Sequence, residues 1–398
     1  MRHGAALAAL FLLAGGRVSA DTADSTISNT DYTGDTVHVT GRRADLLGVA
    51  VSASQIQVDM TDLALRPLLR EGELLETNPG MIVTQHSGDG KSNQMFLRGF
   101  NLDHGTDFAT WVGGMPVNLP THGHGQGYTD LNFLIPELVH NIRFNKGTYY
   151  AQTGDFSSAG WASLELATEL PKAFFKAEGG TEHYRRAVMA ASGRRGSGAW
   201  LFGAEVKGYD GPWTKPQDLK KASALASYKW HTGGGDEFLV RAMAYDNSWE
   251  SSDQIPARAV SAGTLGRFDQ VDSTLGGESS RYSLSGSWKR PASNGGWQLD
   301  VYGVLYELNL FSNFSYFAGD SVNGDQIEQV DRRTVLGGQL GYHGALGAQG
   351  GPHSLSAGLQ VRTDLIPDVA LHHTQARERF ATVRADEVTE IQGAVFAS

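Results

Sequence analysis

The chain has 398 residues, 40% of them hydrophobic and 19% charged, which argues against a disordered polypeptide. Its 33 Lys and Arg against 43 Asp and Glu give a formal net charge of −10, the wrong sign for a nucleic-acid-binding surface. With no cysteine it makes no disulfide, Cys-zinc site, iron–sulfur cluster or thiolate nucleophile, and its 50 glycines suggest many turns and small side chains on strands.

Residues 1–20 read as a secretory signal. Arg2 precedes an apolar run, Ala5 to Ala14, that is too short for the roughly 20 residues of a spanning helix, and Val18-Ser19-Ala20 offers small residues for cleavage. Residues 21–43 form a polar, flexible arm that contains a short β-prone patch, Asp35 to Thr40. An isolated strand cannot satisfy its own backbone, so this patch either joins the sheet that follows or is offered to the sheet edge of another protein.

Residues 44–170 read as a compact α+β domain. The apolar spacing from Leu63 to Leu75 predicts a helix, stopped at Asn78-Pro79-Gly80. Strands are predicted at Met81–Gln85, Gln94–Leu97, Phe108–Val112 and Ile142–Asn145, with one helical turn at Pro136–Val139.

Residues 171–398 change period. About ten segments alternate every second residue, as in Trp200–Lys207, where Trp200, Phe202, Ala204 and Val206 share one face and Leu201, Gly203, Glu205 and Lys207 the other. Arg281–Lys289 follows the same rule, and Phe238–Tyr245, Trp297–Tyr306 and Ser354–Arg362 do so less cleanly. Short connections (193–198, 232–236, 290–296, 344–352) alternate with long ones (210–220, 247–279, 309–330, 363–387). Trp200, Trp230, Trp288 and Trp297 fall near the short ends. This is the pattern of an all-β antiparallel transmembrane β-barrel with an aromatic girdle, as against a soluble sandwich. About ten strands cannot enclose a domain as large as 44–170, and an open edge in lipid is prohibitive, so the barrel is expected to be incomplete, with further strands beyond Ser398.

An ordered set of motifs in the 35–170 region resembles the TonB-dependent outer-membrane receptors. Leu74-Leu75-Glu76-Thr77-Asn78-Pro79-Gly80-Met81-Ile82-Val83 resembles the opening of their plug domain, and Phe96-Leu97-Arg98-Gly99-Phe100 its arginine–glycine strand. Val112-Gly113-Gly114-Met115-Pro116-Val117-Asn118 is similar to a plug turn that usually carries Asp where Gly113 stands. Ile135-Pro136-Glu137 through Asn145-Lys146-Gly147 and the closing Gly154, Ser158, Ala159 and Gly160 complete the set. Gly-Thr-Tyr at 147–149 departs from the family's usual Gly-Pro.

The resemblance implies an α+β plug followed by a barrel in the outer membrane of a Gram-negative bacterium, surrounded by lipid. It implies energised uptake of a small-molecule ligand, by default a ferric siderophore, and no enzymatic activity or resident cofactor. Thr36, Val37, His38, Val39 and Thr40 lie where the family keeps its TonB box, the strand taken by the periplasmic domain of TonB in the TonB–ExbB–ExbD complex. Arg98 is implied to face carboxylates on the barrel wall and to couple plug to barrel.

The histidines leave more than one reading. His122 and His124 sit in a glycine-rich run with Gln126, and His104 lies nearby in sequence. They are candidate ligand contacts; His122 and His124, which would point the same way on an extended strand, are candidate ligands for a transported Zn or Cu, free or chelated. The plainer alternative is a loop whose histidines bond to backbone. A zinc hydrolase needs a further ligand cluster that the sequence lacks, and Gly88-Asp89-Gly90-Lys91-Ser92 has the wrong spacing for a phosphate loop. An exported β-rich binding protein or adhesin without transport is the alternative of another class.

Overall fold

A computed structural model describes residues 54–346 and 353–398. The signal, the arm and the predicted TonB box lie outside these residues. Among the described residues no helix is long and apolar enough to cross a membrane, which says nothing of a β-barrel.

The plug domain holds two small sheets. Strands β1 (Gln55–Asp59), β5 (Phe108–Val112), β6 (Met115–Pro116), β7 (Val139–Lys146) and β8 (Gly160–Leu166) form a mixed sheet in the order β1-β7-β8-β5-β6, with β5 and β8 parallel. Strands β2 (Met81–Thr84), β3 (Gln94–Leu97) and β4 (Phe100–Asn101) form the second. Leu74, Leu75, Phe108, Val112, Leu138 and Ile142 are fully buried between them. The four predicted strands are present, and Pro136–Leu138 makes the expected single turn, here 3-10. The helix predicted over 63–75 is not formed. The chain makes one helical turn at Met60–Leu63 and a 3-10 segment at Glu71–Thr77, because Pro67 between them lacks an N–H and disfavours helical geometry at the residue before it.

Ten antiparallel strands curve around the plug: β9 (Phe174–Gly179), β10 (Arg185–Arg195), β11 (Gly198–Tyr209), β12 (Leu219–His231), β13 (Glu237–Glu250), β14 (Gly276–Ala292), β15 (Gly295–Ser312), β16 (Ile327–Leu346), β17 (His353–Gln375) and β18 (Glu378–Ala397). Each pairs with its sequence neighbours, and β9 and β18 are the two edges, so the barrel wall is incomplete. The alternation assigns the faces as the sequence suggested. Trp200 and Val206 point out and are exposed, whereas Leu201, Glu205 and Lys207 point in and are buried against the plug. Tyr282, Leu284, Val301, Leu305, Leu336 and Val361 continue the exposed apolar band across neighbouring strands. Trp297 packs on Tyr342 near the short-turn end, with ring centroids 5.1 Å apart.

One connection differs from expectation. Residues 363–387, read as a long loop, are strand on both sides of a two-residue turn, Ala376-Arg377, whose φ values of 50° and 69° suit a tight hairpin. Register shifts at Ile366/Val369, Leu371/His372 and His373/Thr374 break the two-residue period there, and Pro367 sits within the first of them.

The wall grips the plug through a chain of buried ions. From the plug, Glu71 meets Lys221 of β12, and Lys207 of β11 lies 3.8 Å from the same carboxylate. Lys221 also pairs with Glu205 at 2.9 Å, Glu205 with Arg186 of β10 at 2.7 Å, and Arg186 reaches back to plug Glu137 with two hydrogen bonds of 2.7 Å. Charges therefore alternate along the chain, with the carboxylates at both ends supplied by the plug. Burial pushes the Glu71 carboxyl up, but Lys221 and Lys207 outweigh it and hold it below the usual range. At Glu137 the same contest, won by Arg186, leaves the carboxyl at about 2.

Two outcomes test this clamp. Glu71→Gln leaves an excess buried ammonium and is expected to cost on the order of 3 kcal/mol of plug docking, read as the urea concentration at which protease cuts the plug; Glu71→Leu combined with Lys221→Leu costs less than the sum of the two single changes. Both carboxyls ionise more readily in the folded state than in the unfolded chain. The stabilisation from both is thus complete above the ordinary value of 4.5 and is lost as pH falls below it, for Glu137 toward about 2. Plug release by urea should be unchanged between pH 7 and 5.5 and easier at pH 3.

Candidate functional site

On the side of the long connections, the plug surface carries the segments 85–92, 101–105 and 121–128. Gly88 and Gly90 let the first of these slide under the Trp249 ring at the end of β13. A Cβ on Gly90 would lie 1.7 Å from Trp249 Cε3. Asp89 accepts a hydrogen bond from Gln217 of the wall at 2.9 Å. The Gly-Asp-Gly run therefore serves packing against the wall.

The 121–127 run is a loop, so His122 and His124 do not share a strand face. Its middle is pinned to β16: Gly123 N–H donates to Asp331 at 3.0 Å, and the Gln329 amide donates to the Gly123 carbonyl at 2.9 Å. A Cβ on Gly123 would stand 2.7 Å from the Val330 carbonyl oxygen. Arg333 donates to the Thr121 carbonyl, and Arg362 to the Asn118 carbonyl at 2.8 Å. The two histidines diverge from this anchor. His122 is buried, stacked on Tyr128 with centroids 4.0 Å apart, and its Nε2 lies 3.3 Å from the Tyr306 hydroxyl. His124 turns instead toward His104, their Nε2 atoms 3.1 Å apart.

The tautomers follow from the partners. His104 Nδ1 lies 3.2 Å from the Asn93 carbonyl, an acceptor only, so Nδ1 carries the proton. His124 Nδ1 lies 2.8 Å from Gln329 Oε1, and that amide is oriented by its own NH2 donating to Gly123, so Nδ1 is again the donor. Both Nε2 atoms then present lone pairs to each other with no hydrogen between them. A proton placed there is disfavoured. Burial, with Lys91 and His86 acting on His104 and Lys91 and His104 on His124, drops both imidazoles to about 3. The pair is a neutral, two-nitrogen acceptor, with Asp103 Oδ1 3.7 Å from His104 Nε2. His86 stacks beside it, 5.2 Å from His104 between centroids, with a buried Nδ1 that has no partner among the described residues.

Of the residues predicted for ligand contact, His104 and His124 come together and His122 stands behind them at the wall. Gln126 is exposed, and its carbonyl accepts from Thr106. As a pair of metal ligands, His122 and His124 are not brought together. Among the described residues no group of three or more His, Cys, Asp or Glu is arranged to hold a metal. Among the described residues no wall carboxylate pairs with Arg98: it is exposed on the β3–β4 turn at φ 53°, its N–H bonded to the Gly80 carbonyl at 2.7 Å. The plug's ionic grip on the described strands has the opposite polarity, with plug carboxylates on wall cations. Thr36, Val37, His38, Val39 and Thr40 lie outside the described residues. Sequence reasoning missed His86, Lys91, Asn93 and Gln329, which are distant in sequence or share no motif with the His-Gly-His run.

A family model described as the TonB-dependent Receptor Plug Domain matches residues 48–161. Solved structures with the same architecture include the copper transporter OprC (15% identity, 87% of this chain and 52% of that one, TM-score 0.64). The ferric citrate transporter FecA in its unliganded form is 11% identical over 86% of this chain and 52% of its own, with a TM-score of 0.68. The siderophore receptor PirA from Acinetobacter baumannii is 14% identical over 82% and 49%, with a TM-score of 0.61. The chain spans about half the length of these structures. Residues 48–161 thus match the plug domain of TonB-dependent receptors, and the chain has the fold of the structures named, a plug held in an incomplete barrel wall.

Proposed function

We propose that the protein takes part in TonB-dependent uptake across a Gram-negative outer membrane, and that its ligand carries a transition metal met by His104 and His124. The observation that carries this reading is the pair of facing Nε2 lone pairs, 3.1 Å apart, on the plug surface below the long loops. Two neutral imidazoles in that relation are completed by a borderline metal ion. The similar structures named above include a copper transporter, a ferric citrate transporter and a siderophore receptor, which supports a metal-bearing cargo. The general expectation of a ferric siderophore is thereby narrowed toward a ligand whose metal an imidazole can reach.

Transport is favoured over a soluble binding protein or adhesin by the exposed apolar band on the outer face of the wall, which suits lipid. Enzymatic turnover has no place in this reading, because TonB-dependent receptors are transporters. In this reading energy is supplied by TonB pairing with residues Thr36–Thr40.

Metal accumulation, measured by mass spectrometry in cells whose supply of that metal is limiting, tests the site. His104→Ala with His124→Ala is expected to lower receptor-dependent accumulation by roughly tenfold or more at equal outer-membrane abundance; unchanged accumulation removes the metal reading. Val39→Pro deletes a backbone donor from the TonB strand and should abolish accumulation while leaving ligand binding to isolated outer membranes intact.

A further inference from the structure

Arg241 of β13 is a wall cation that the ionic clamp leaves out. It faces the plug near the short-turn end of the strand, whereas the histidine pair lies on the side of the long connections. Its side chain is 3% exposed. Among the described residues its single hydrogen bond runs from Nη2 to the plug Leu166 carbonyl at 3.3 Å, and its Nε is buried with no partner. A guanidinium stays charged in any protein setting. No carboxylate of the described residues pairs with it. Asp300 borders the same cavity, but its Oδ2 is taken by the amides of Gln298 and Gln339 at 2.7 and 3.0 Å.

That cavity lies between Arg241, the plug turn Gly113-Gly114, and Ser285, Ser287 and Asp300 of the wall. It has room for about one particle of the size of a water or a halide. The plug contributes no side chain to it: a Cβ on Gly113, whose φ is 56°, would stand 2.3 Å from Arg241 Nη1. Across the ladder, Ser227 of β12 and Ser285 of β14 are the register partners of Arg241, so all three share the inner face. The Ser227 hydroxyl is likewise buried with no partner. Unused donors therefore gather around one uncompensated positive charge. A water would accept one N–H and leave the charge as costly as before, whereas an anion answers both the donors and the charge.

We propose that this cavity binds a small inorganic anion of chloride size, held by Arg241 with the flanking serine hydroxyls, and that the anion ties the wall to the plug turn at Gly113-Gly114. Because plug and wall both line the site, the anion binds only while the plug is seated and so favours the seated state by linkage.

The test uses the full-length receptor in detergent. Protease cutting of the plug in urea is followed as chloride replaces gluconate, which is too large for the cavity, at constant ionic strength. Wild type should be cut more slowly as chloride rises, by about tenfold once chloride reaches about ten times its dissociation constant. Arg241→Met should be cut at one rate in both salts. Gly113→Asp ties a carboxylate to the turn; Asp tolerates the positive φ, and only the mobile end of Arg241 has to clear it. This variant should also lose the chloride response, while being cut in gluconate as slowly as wild type is in chloride. Wild-type crystals grown in bromide should show anomalous scattering beside Arg241 Nε. If Arg241→Met does not fold, the bromide signal and Gly113→Asp decide the matter. Equal cutting of wild type in both salts, a chloride response that survives Arg241→Met, or bromide found only at exposed positions (an adventitious ion only) overturns the site. His104→Ala/His124→Ala should keep the chloride response, so loss of the metal reading leaves this inference standing.

Discussion

The structure depends on one constraint: the plug and the wall meet across a surface crowded with buried charge. Removing ions from water costs several kcal/mol each unless geometry returns it. Here the return comes from strict alternation, Glu71 to Lys221 to Glu205 to Arg186 to Glu137, with each ion within 3 Å of an opposite one. Since the plug supplies both terminal carboxylates, neither part is electrostatically complete without the other. A second set, Asp331, Arg333, Arg362 and Asp364, neutralises itself on β16 and β17 and spends its remaining donors on plug carbonyls. The first set fixes the plug by charge, and the second fixes one loop by backbone bonds.

That loop links the wall to the candidate site. Gly123 is held from both sides by β16, His122 leaves it toward Tyr306, and His124 leaves it toward His104. The tautomers of His104 and His124 are dictated by the Asn93 carbonyl and the Gln329 amide. The wall thus sets the tautomer of His124, since it is Gln329, oriented by Gly123, whose Oε1 accepts the hydrogen bond from Nδ1–H of His124. Lys91 lies against His86 at 3.5 Å, and the Asp103 carboxylate lies 3.7 Å from His104 Nε2.

Much of this architecture was legible in the sequence. Where one face of a strand meets lipid and the other meets the plug, side chains must alternate, and Trp200–Lys207 shows that alternation directly. Legibility failed where local rules were overridden. Pro67 interrupted an apolar spacing that otherwise promised a helix, and the register shifts along β17 hid strands that read as a loop.

The sequence by itself determined the fold class, the plug strands and the orientation of the wall's two faces, because each rests on local periodicity or on short motifs. Only the tertiary structure decided which histidines meet, that Arg98 lies on an exposed turn, and that the plug's grip on these strands is carboxylate on cation. Those outcomes depend on pairs far apart in the chain, such as Glu71 with Lys221 and His124 with Gln329. No local pattern records them, because an ion pair or a tautomer belongs to two residues that only the fold brings together.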